Sequence, residues 1–391
     1  MNNKNNYPFI FVHGMFGWGE NEGINKIIPY WGATAGSLTD YISGMGLECH
    51  AASVGPISSA WDQACELYAQ LTGTTVDYGE AHSKKFGHAR FGRKYTKPLF
   101  EGWSSEKKVH LIGHSFGGNA IRMLTHLLTY GAEDEISASG NDISPLFIGG
   151  KEDLVCSVTA ICSPLNGTGA YEAAQRIKLI TPLVRIAYTY AGFFGRSHLN
   201  GKLVDFHLEQ FGLTDSPDAR NRSPIGKSIK KITQTKDNIE HDMSPEGAKI
   251  MNERIQISPS VYYFSYPFDA IKKYKNGALS VPAYTDFFLM FITSTLMLKN
   301  AAYDERKLHK QADFNNDGLV NISSASHPLN EPFHSFNGEA KAGIWNVMPA
   351  TKGDHGTAIG VFADKTRTRK FYVEMIERLQ NAEKQAENSL K

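Results

Sequence analysis

Residues 109–118 read VHLIGHSFGG, and this stretch decides the fold. The apolar run 109–112 predicts a buried strand, and the amphipathic residues 119–128 predict a helix directly after it. Between them lies a Gly-x-Ser-x-Gly motif that contains Ser115. Such a motif places its serine on a strained strand-to-helix turn, with glycines where helix and strand approach closely. The stretch therefore predicts an α/β fold with a nucleophilic Ser115 at the carboxyl end of a strand.

Further strand-like runs alternate with amphipathic segments along the chain. Strands separated by helices predict parallel βαβ units and a doubly wound sheet, here the α/β-hydrolase fold in a single domain, residues 1–391. Two stretches interrupt the alternation: residues 72–105 have little periodicity, and residues 170–245 are too long for one crossover. The charged and apolar tail from residue 366 predicts a helix packed on the sheet. The other strand-like runs are 8–12, 48–54, 155–161, 261–265 and 343–348, and helical patterns also occupy 61–71.

The composition is that of a globular protein, with 41% hydrophobic residues and a formal net charge of +1. This balance gives no electrostatic case for nucleic acid or for an anionic membrane as partner. The four cysteines show no paired spacing, so no disulfide framework is predicted. No stretch has the length and apolar character of a transmembrane segment. The polar start of the sequence lacks the apolar core of a signal peptide.

A serine that transfers acyl groups also needs donors for the oxyanion. One is expected from the backbone N–H of Phe116, the residue after the nucleophile. The other is expected from a loop after an early strand, and residues 9–19, FIFVHGMFGWG, provide a strand that ends in a glycine-rich turn. The N–H of Met15 is the predicted second donor.

The remaining catalytic groups follow in the chain order Ser, acid, His. His355 lies in a Gly-Asp-His-Gly loop after the last strand-like run and is the predicted base, with His327 in reserve. Asp317 is the predicted acid. Its surroundings, residues 313–318, also match the opening of an EF-hand calcium loop, but the twelfth position is Ser324 instead of Glu. Asp354 adjoins the base and is expected in a surface loop.

Three longer motifs resemble a known family, the bacterial lipases typified by the thermoalkalophilic Geobacillus and the staphylococcal enzymes. They read VGPISSAWD at 54–62, VDYGEAH at 76–82 and GHARFGR at 87–93, and the resemblance extends over almost the whole chain. It implies a structural zinc ion in an insertion at residues 55–105. Carried over by position, the ligands are Asp62, His82, His88 and Asp242, with His241 as the competitor for the fourth place. Two Asp and two His with no open position suit a closed tetrahedral zinc site.

The resemblance further implies a helical lid within residues 170–245, where Ile177, Ile180, Val184 and Ala187 share a helical face. Family members bind calcium through a Glu two residues after the catalytic histidine. Thr357 occupies that place here, so calcium is not expected. Since the family is secreted, we expect a secreted protein whose signal peptide is absent from this sequence.

These features together predict a serine carboxylic-ester hydrolase, a triacylglycerol lipase or carboxylesterase. Its expected partner is a lipid or other aliphatic ester, presented at a lipid–water interface or on a polyester surface. Two alternatives use the same triad: hydrolysis of polymeric esters, and acyl transfer to an alcohol. A catalytically silent binding protein and a metallohydrolase are less favoured, because a complete Ser, Asp and His set is present.

Overall fold

The computed structural model describes residues 7–178, 203–213, 225–274, 279–308 and 313–389. The strands in this part of the chain are β1 (Phe9–Val12), β2 (Cys49–Ala52), β3 (Thr75–Asp77), β4 (Phe91–Lys94), β5 (Val109–His114), β6 (Val155–Ile161), β7 (Tyr262–Tyr266), β8 (Phe268–Asp269), β9 (Ile271–Tyr274), β10 (Leu279–Pro282), β11 (Phe333–Ser335), β12 (Trp345–Val347) and β13 (Thr351–Lys352).

The α-helices of the described residues are α1 (Leu38–Ser43), α2 (Ala60–Thr72), α3 (Glu80–Phe86), α4 (Gly117–Tyr130), α5 (Glu133–Ser139), α6 (Gly169–Arg176), α7 (Ile225–Gln234), α8 (Ile239–Met243), α9 (Pro245–Arg254), α10 (Phe288–Leu308), α11 (Ile322–Ser326) and α12 (Lys365–Ser389). Short 3₁₀ turns occupy Gly23–Lys26, Ala33–Ala35, Gly140–Asp142, Pro145–Ile148, Glu152–Leu154, Glu209–Phe211 and Thr357–Ile359.

A seven-stranded sheet forms the centre of the described structure, in the spatial order β11-β12-β7-β6-β5-β1-β2. Every neighbouring pair in it is parallel. The strands β5 and β6 are buried along their whole length, as expected of parallel strands covered by helices on both faces. The predicted doubly wound sheet is therefore confirmed.

The strand β1 shows how the sheet divides the core. Its side chains alternate between the two faces, because successive residues of a strand point in opposite directions. Ile10 and Val12 join one apolar cluster, which also holds residues of α2 and α4. Phe9 and Phe11 join the other, which α12 completes with Met375, Ile376 and Leu379. The predicted packing of the C-terminal helix on the sheet is thus present.

Six strands of the sheet coincide with predicted runs, and the seventh was missed. This strand, β11, has three residues and lies at the edge of the sheet, where Phe333 and Ser335 are exposed. Pro332 precedes it, and so short an edge strand leaves no apolar alternation to detect. His334 lies on this strand.

The two interruptions of the α/β alternation carry their own elements. Residues 72–105 contain an antiparallel pair, β3 with β4, and the helix α3 between them. Residues 170–245 contain α7, α8 and most of α6. Of the predicted helical face, Ile177 is half exposed, and positions 180, 184 and 187 lie outside the described residues.

Each of the described helices is either too short or insufficiently apolar to cross a bilayer.

Candidate active site and metal cluster

Ser115 lies at the sharp turn between β5 and α4. Its φ is +54°, in the left-handed region that residues with a side chain rarely adopt. A Cβ on Gly113 would lie 2.4 Å from the backbone of Gly117, and a Cβ on Gly117 would lie 2.3 Å from the carbonyl oxygen of Val12. Glycine is therefore required at both flanking positions, and the turn has the strained geometry that the motif predicts.

Asp317 and His355 meet although 38 positions separate them. The imidazole Nδ1 of His355 donates to Oδ2 of Asp317 over 2.8 Å, and the backbone N–H of His355 donates to the carbonyl oxygen of Asp317. The other carboxylate oxygen, Oδ1, accepts from the N–H groups of Leu319 and Val320 at 2.9 and 2.7 Å. The carboxylate is buried and held by three donors, so the ring of His355 has a fixed tautomer with Nε2 free to accept a proton.

The same geometry bears on the calcium hypothesis at residues 313–318. Both carboxylate oxygens of Asp317 already accept hydrogen bonds from the protein. The side-chain amide of Asn315 donates to Asp269, and the carboxylate of Asp313 accepts from Ser323. Asp313, Asn315 and Asp317 therefore each have their own hydrogen-bond partners within the protein.

His327 and Asp354 have surroundings that differ from expectation. The ring of His327 stacks on Phe333 with centroids 3.7 Å apart, so this reserve base is engaged in packing. Asp354 was expected in a surface loop but is fully buried. Its carboxylate accepts from the N–H groups of Asp286 and Phe287, just before α10 begins, and therefore ties the loop of His355 to that helix.

The loop after β1 approaches Ser115 closely. A Cβ on Gly14 would lie 2.6 Å from Cβ of Ser115, so only glycine fits there. The carbonyl oxygen of Gly14 accepts from Nδ1 of His13 at 2.9 Å and from the N–H of Gly17 at 3.0 Å. Among the hydrogen bonds of the described residues, none uses the N–H of Met15 or of Phe116.

Cys162 lies close to His114 and His355. Its thiol and one ring nitrogen from each of His114 and His355 lie within 4.8 Å of one another. Burial and the negative charge of Asp317 raise the pKa of the Cys162 thiol well above its usual range. The thiol is therefore protonated at neutral pH and is not activated as a nucleophile.

A second cluster, about the helix α2, gathers four ligand-type side chains. One ligand atom each from Asp62, His82, His88 and Asp237 lies within 4.8 Å of all the others, and all four residues are buried. Oδ2 of Asp237 lies 3.1 Å from Nε2 of His82 and 3.0 Å from Nε2 of His88, and Oδ1 of Asp62 lies 3.3 Å from Nε2 of His82. We call these four residues the metal cluster.

The donor atoms of the metal cluster fit a bound cation. Oδ1 of Asp62 and Nε2 of His88 are buried and lack a hydrogen-bond partner, a costly arrangement unless something else binds them. Nδ1 of His88 donates to the carbonyl of Ala89, which directs the lone pair of Nε2 into the cluster. Burial lowers the pKa of His82, but Asp237 and Asp62 outweigh it and raise that pKa to about 9.

The prediction of Asp242 as the fourth ligand is wrong, because Asp237 takes that place. Asn238 caps the helix α8, so Asp237 precedes the helix and its carboxylate reaches His82 and His88. Asp242 lies inside that helix, and its carboxylate accepts from the N–H of Ala60 at the start of α2. The competitor His241 also lies outside the cluster.

The sheet order, the strained serine after β5 and the paired Asp317 and His355 define the class of this protein as an α/β hydrolase. A family model described as "Lipase-like, C-terminal domain" matches residues 5–390, and the chain belongs to this family. The resemblance to the staphylococcal lipases is thereby confirmed.

Individual relatives agree with this assignment. Lipase 1 of Staphylococcus aureus (strain Mu50 / ATCC 700699) is 33% identical over 376 residues, which cover 94% of this chain and 53% of that protein. The chain thus spans about half the length of the curated relatives it matches. The crystal structure of Staphylococcus hyicus lipase matches with a TM-score of 0.82 and 32% identity, over 97% of both chains. EstA from Clostridium botulinum matches with a TM-score of 0.79 and 36% identity, over 96% of this chain and 88% of that one.

Proposed function

We propose that this chain is a serine carboxylic-ester hydrolase that acts on lipid or other aliphatic esters, with Ser115, Asp317 and His355 as its catalytic triad. The observation that carries the proposal is the hydrogen bond of 2.8 Å between Asp317 and His355, in a fold that presents Ser115 on a strained turn after β5. The names of the staphylococcal relatives support the same activity.

The first half of the reaction forms an acyl-enzyme. Nε2 of His355 takes the proton of Ser115 as Oγ attacks the ester carbonyl carbon. Asp317 holds the ring in the required tautomer and stabilises the imidazolium. The unpaired N–H groups of Met15 and Phe116 bind the oxyanion of the tetrahedral intermediate. His355 then protonates the leaving alcohol as its bond to the carbonyl carbon breaks.

The second half releases the acyl group. Water enters in place of the alcohol, and His355 takes a proton from it as the water oxygen attacks the acyl carbon. The tetrahedral intermediate collapses, the bond to Oγ of Ser115 breaks, and His355 returns the proton to that oxygen. The products are a carboxylic acid and the free enzyme.

Exposed apolar side chains near the site support an aliphatic substrate. Met15 and Phe16 of the loop after β1 are more than one third exposed, and so are Phe288 and Leu289 at the start of α10. That helix begins next to the residues bound by Asp354, which neighbours His355 in the chain. Apolar side chains at the mouth of a hydrolytic site favour acyl chains or an apolar interface over a charged substrate.

We further propose that the metal cluster binds one zinc ion with a structural role. Two carboxylates and two imidazoles with no open position suit closed tetrahedral coordination. When bound, the ion would join α2, α3 and the segment before α8, which come from distant parts of the sequence. The family resemblance also leads us to infer that the protein acts outside the cell, which ester-hydrolase assays of culture medium and cell pellet would test.

The experiment that tests the function is a hydrolysis series on p-nitrophenyl esters from acetyl to palmitoyl. We expect Ser115→Ala to lower kcat/KM by about four orders of magnitude or more, and Asp317→Asn to lower it strongly too. Ser258→Ala, which changes a buried serine beside β7, is the matched control and should retain the wild-type rate. The chain-length optimum separates a lipase from a short-chain esterase.

Two outcomes would contradict the proposal. If Ser115→Ala hydrolyses every ester at the wild-type rate, Ser115 is not the nucleophile. If a chelator abolishes activity at once while a serine-directed phosphonate leaves it intact, the chemistry belongs to a metal site.

A further inference from the structure

A chain of three buried hydrogen bonds connects the loop after β1 with the loop of His355. The N–H of Gly14 donates to the hydroxyl of Tyr30 at 2.9 Å. That hydroxyl and Nδ1 of His114 are 2.7 Å apart. Nε2 of His114 lies 3.1 Å from the carbonyl oxygen of His355. Ser115 follows His114 directly, so these three hydrogen bonds pass immediately behind the nucleophile.

The direction of each hydrogen bond follows from its end groups. A backbone N–H can only donate, and a carbonyl can only accept. His114 therefore donates from Nε2 to the carbonyl of His355, which leaves Nδ1 of the neutral ring to accept the proton of Tyr30. Burial, helped by the charge that His355 acquires, lowers the pKa of His114 well below its usual range, so the ring stays neutral.

At the Gly14 end, the hydrogen bonds fix the loop that carries the Met15 N–H. The peptide between Gly14 and Met15 is planar, so the direction of its carbonyl determines the direction of its N–H. His13 and Gly17 hold that carbonyl, and Tyr30 holds the preceding N–H. The loop is thus held on both sides of Gly14, which is in contact range of Ser115.

At the other end, the hydrogen bond from His114 adds to the contacts that hold His355 in place. Its backbone N–H and its ring both bind Asp317, and its carbonyl oxygen accepts from His114. The rings of His114 and His355 are also in contact, with centroids 4.7 Å apart. Displacement of His114 would therefore move the base and the nucleophile relative to each other.

We propose that Tyr30 and His114 are positioning residues, which hold the Met15 N–H, Ser115 and His355 in register for the tetrahedral transition state. This proposal rests on the ester-hydrolase function proposed above. Tyr30 and His114 touch no substrate in this scheme. They act through Gly14 and His355, so their removal weakens transition-state binding more than substrate binding.

Tyr30→Phe tests the proposal, because it removes the shared hydroxyl and keeps the ring that packs on Trp31. We expect kcat on p-nitrophenyl butyrate to fall about tenfold, less than for loss of a direct oxyanion donor, with little change in KM. The affinity for a trifluoromethyl ketone, which forms a tetrahedral adduct with serine, should fall by the same factor as kcat/KM. Tyr263→Phe is the matched control, since its buried hydroxyl also accepts a backbone N–H, that of Ser258.

Tyr263→Phe should lower the thermal midpoint as much as Tyr30→Phe does and keep the wild-type kcat. If both variants lose stability alike and both keep the wild-type kcat/KM and inhibitor affinity, Tyr30 is structural and the proposal is wrong. Ser115→Ala is measured in the same series. A wild-type activity that does not depend on Ser115 would overturn the proposed function itself, a result distinct from an active enzyme indifferent to Tyr30.

A second pair of variants covers the case in which Tyr30→Phe does not fold. His114→Gln retains an amide that can donate toward the carbonyl of His355, and His114→Leu retains neither a donor nor an acceptor. We expect His114→Gln to recover part of the kcat that His114→Leu loses. Equal kcat values for the two variants would contradict a positioning role for His114.

Discussion

The carboxylates of Asp237 and Asp242 lie on one short segment of the chain and contact different partners. Asp237 faces two imidazoles inside the metal cluster, whereas Asp242 accepts the N–H of Ala60 at the start of α2. The proximity of His82 and His88 holds the pKa of Asp237 below its ordinary value in spite of burial. Asp242, whose pKa burial raises, does not face such a pair of imidazoles.

This difference gives a prediction for the matched pair Asp237→Asn and Asp242→Asn. Asp237→Asn should lose most of its bound zinc, because it removes a charged ligand from the closed site. Asp242→Asn should keep its zinc and change the free energy of unfolding by less than about 0.5 kcal/mol, since an amide oxygen can still accept the N–H of Ala60. Zinc content by plasma mass spectrometry and urea unfolding measure the two effects. Equal zinc content in both variants would contradict the assignment of Asp237.

At the scale of elements, α4 is held to three neighbouring segments by Arg122. This buried guanidinium donates to Glu331 at 2.8 Å and to Asn252 of α9 at 3.1 Å. Glu331 in turn accepts from the indole N–H of Trp345 on β12. Removal of one charge from a buried ion pair is strongly destabilising, because the other charge is left buried without a partner.

We therefore expect Glu331→Gln to lower the free energy of unfolding by about 3–5 kcal/mol, because Arg122 is left buried without its counter-charge. The matched control is Glu246→Gln, which removes the partner of Lys236 in a pair that is mostly exposed. It should cost less than about 1 kcal/mol. Chemical denaturation of both variants gives the comparison, and losses of similar size would show that the Arg122 pair contributes no more than a surface pair.

The pH dependence of stability should contain a contribution from His126, near the end of α4. Burial, together with the positive charges of Arg254 and Arg122, lowers the pKa of His126 to about 4. The unfolded chain, with the ordinary value of 6.5, binds the proton more strongly than the folded one. The stabilising contribution is therefore complete above pH 6.5 and is lost as the pH falls toward 4.

His126→Asn isolates that contribution, since an amide oxygen can accept the N–H of Gln256 as Nδ1 does. The unfolding free energy of wild type minus that of the variant should decrease by up to roughly 3 kcal/mol between pH 7 and pH 4. Urea titrations at several pH values measure it. Parallel pH profiles for the two proteins would contradict the shifted pKa.

The elements also show what could be predicted from sequence and why. The strands β1, β5 and β6 are continuous apolar runs because both of their faces are covered, and such runs are recognisable without a structure. Ser115, Asp317 and His355 were predicted as a triad from motif and chain order, and the structure pairs the last two by a hydrogen bond. Asp237 was missed because ligand identity depends on a contact with His82, 155 positions away. The partnership of Tyr30 with His114, 84 positions apart, left no local pattern either.

At the scale of the whole molecule, the metal cluster connects segments that the sheet does not. Any ligand that binds only the folded state raises stability by mass action. Removal of zinc with a chelator should therefore lower the thermal midpoint of the wild-type protein, by roughly several degrees. Ser115→Ala should show the same shift, and Asp237→Asn should show little, because its site is already impaired. Scanning calorimetry with and without chelator measures the effect, and a midpoint indifferent to the chelator in wild type would exclude a stabilising zinc ion.

The position of α12 in the chain has a consequence for how the protein is made. Phe11 of β1, the strand next to the edge strand β2, contacts the ring of Tyr372, which a ribosome adds 361 residues later. Until then, the apolar cluster on that face of the sheet lacks the side chains that α12 contributes, although the strands themselves can already pair. The nascent chain thus exposes apolar surface during most of its synthesis. Under this condition polypeptides aggregate or recruit chaperones. A chain interrupted before α12 would keep its triad residues and still fail to persist as a monomer in water.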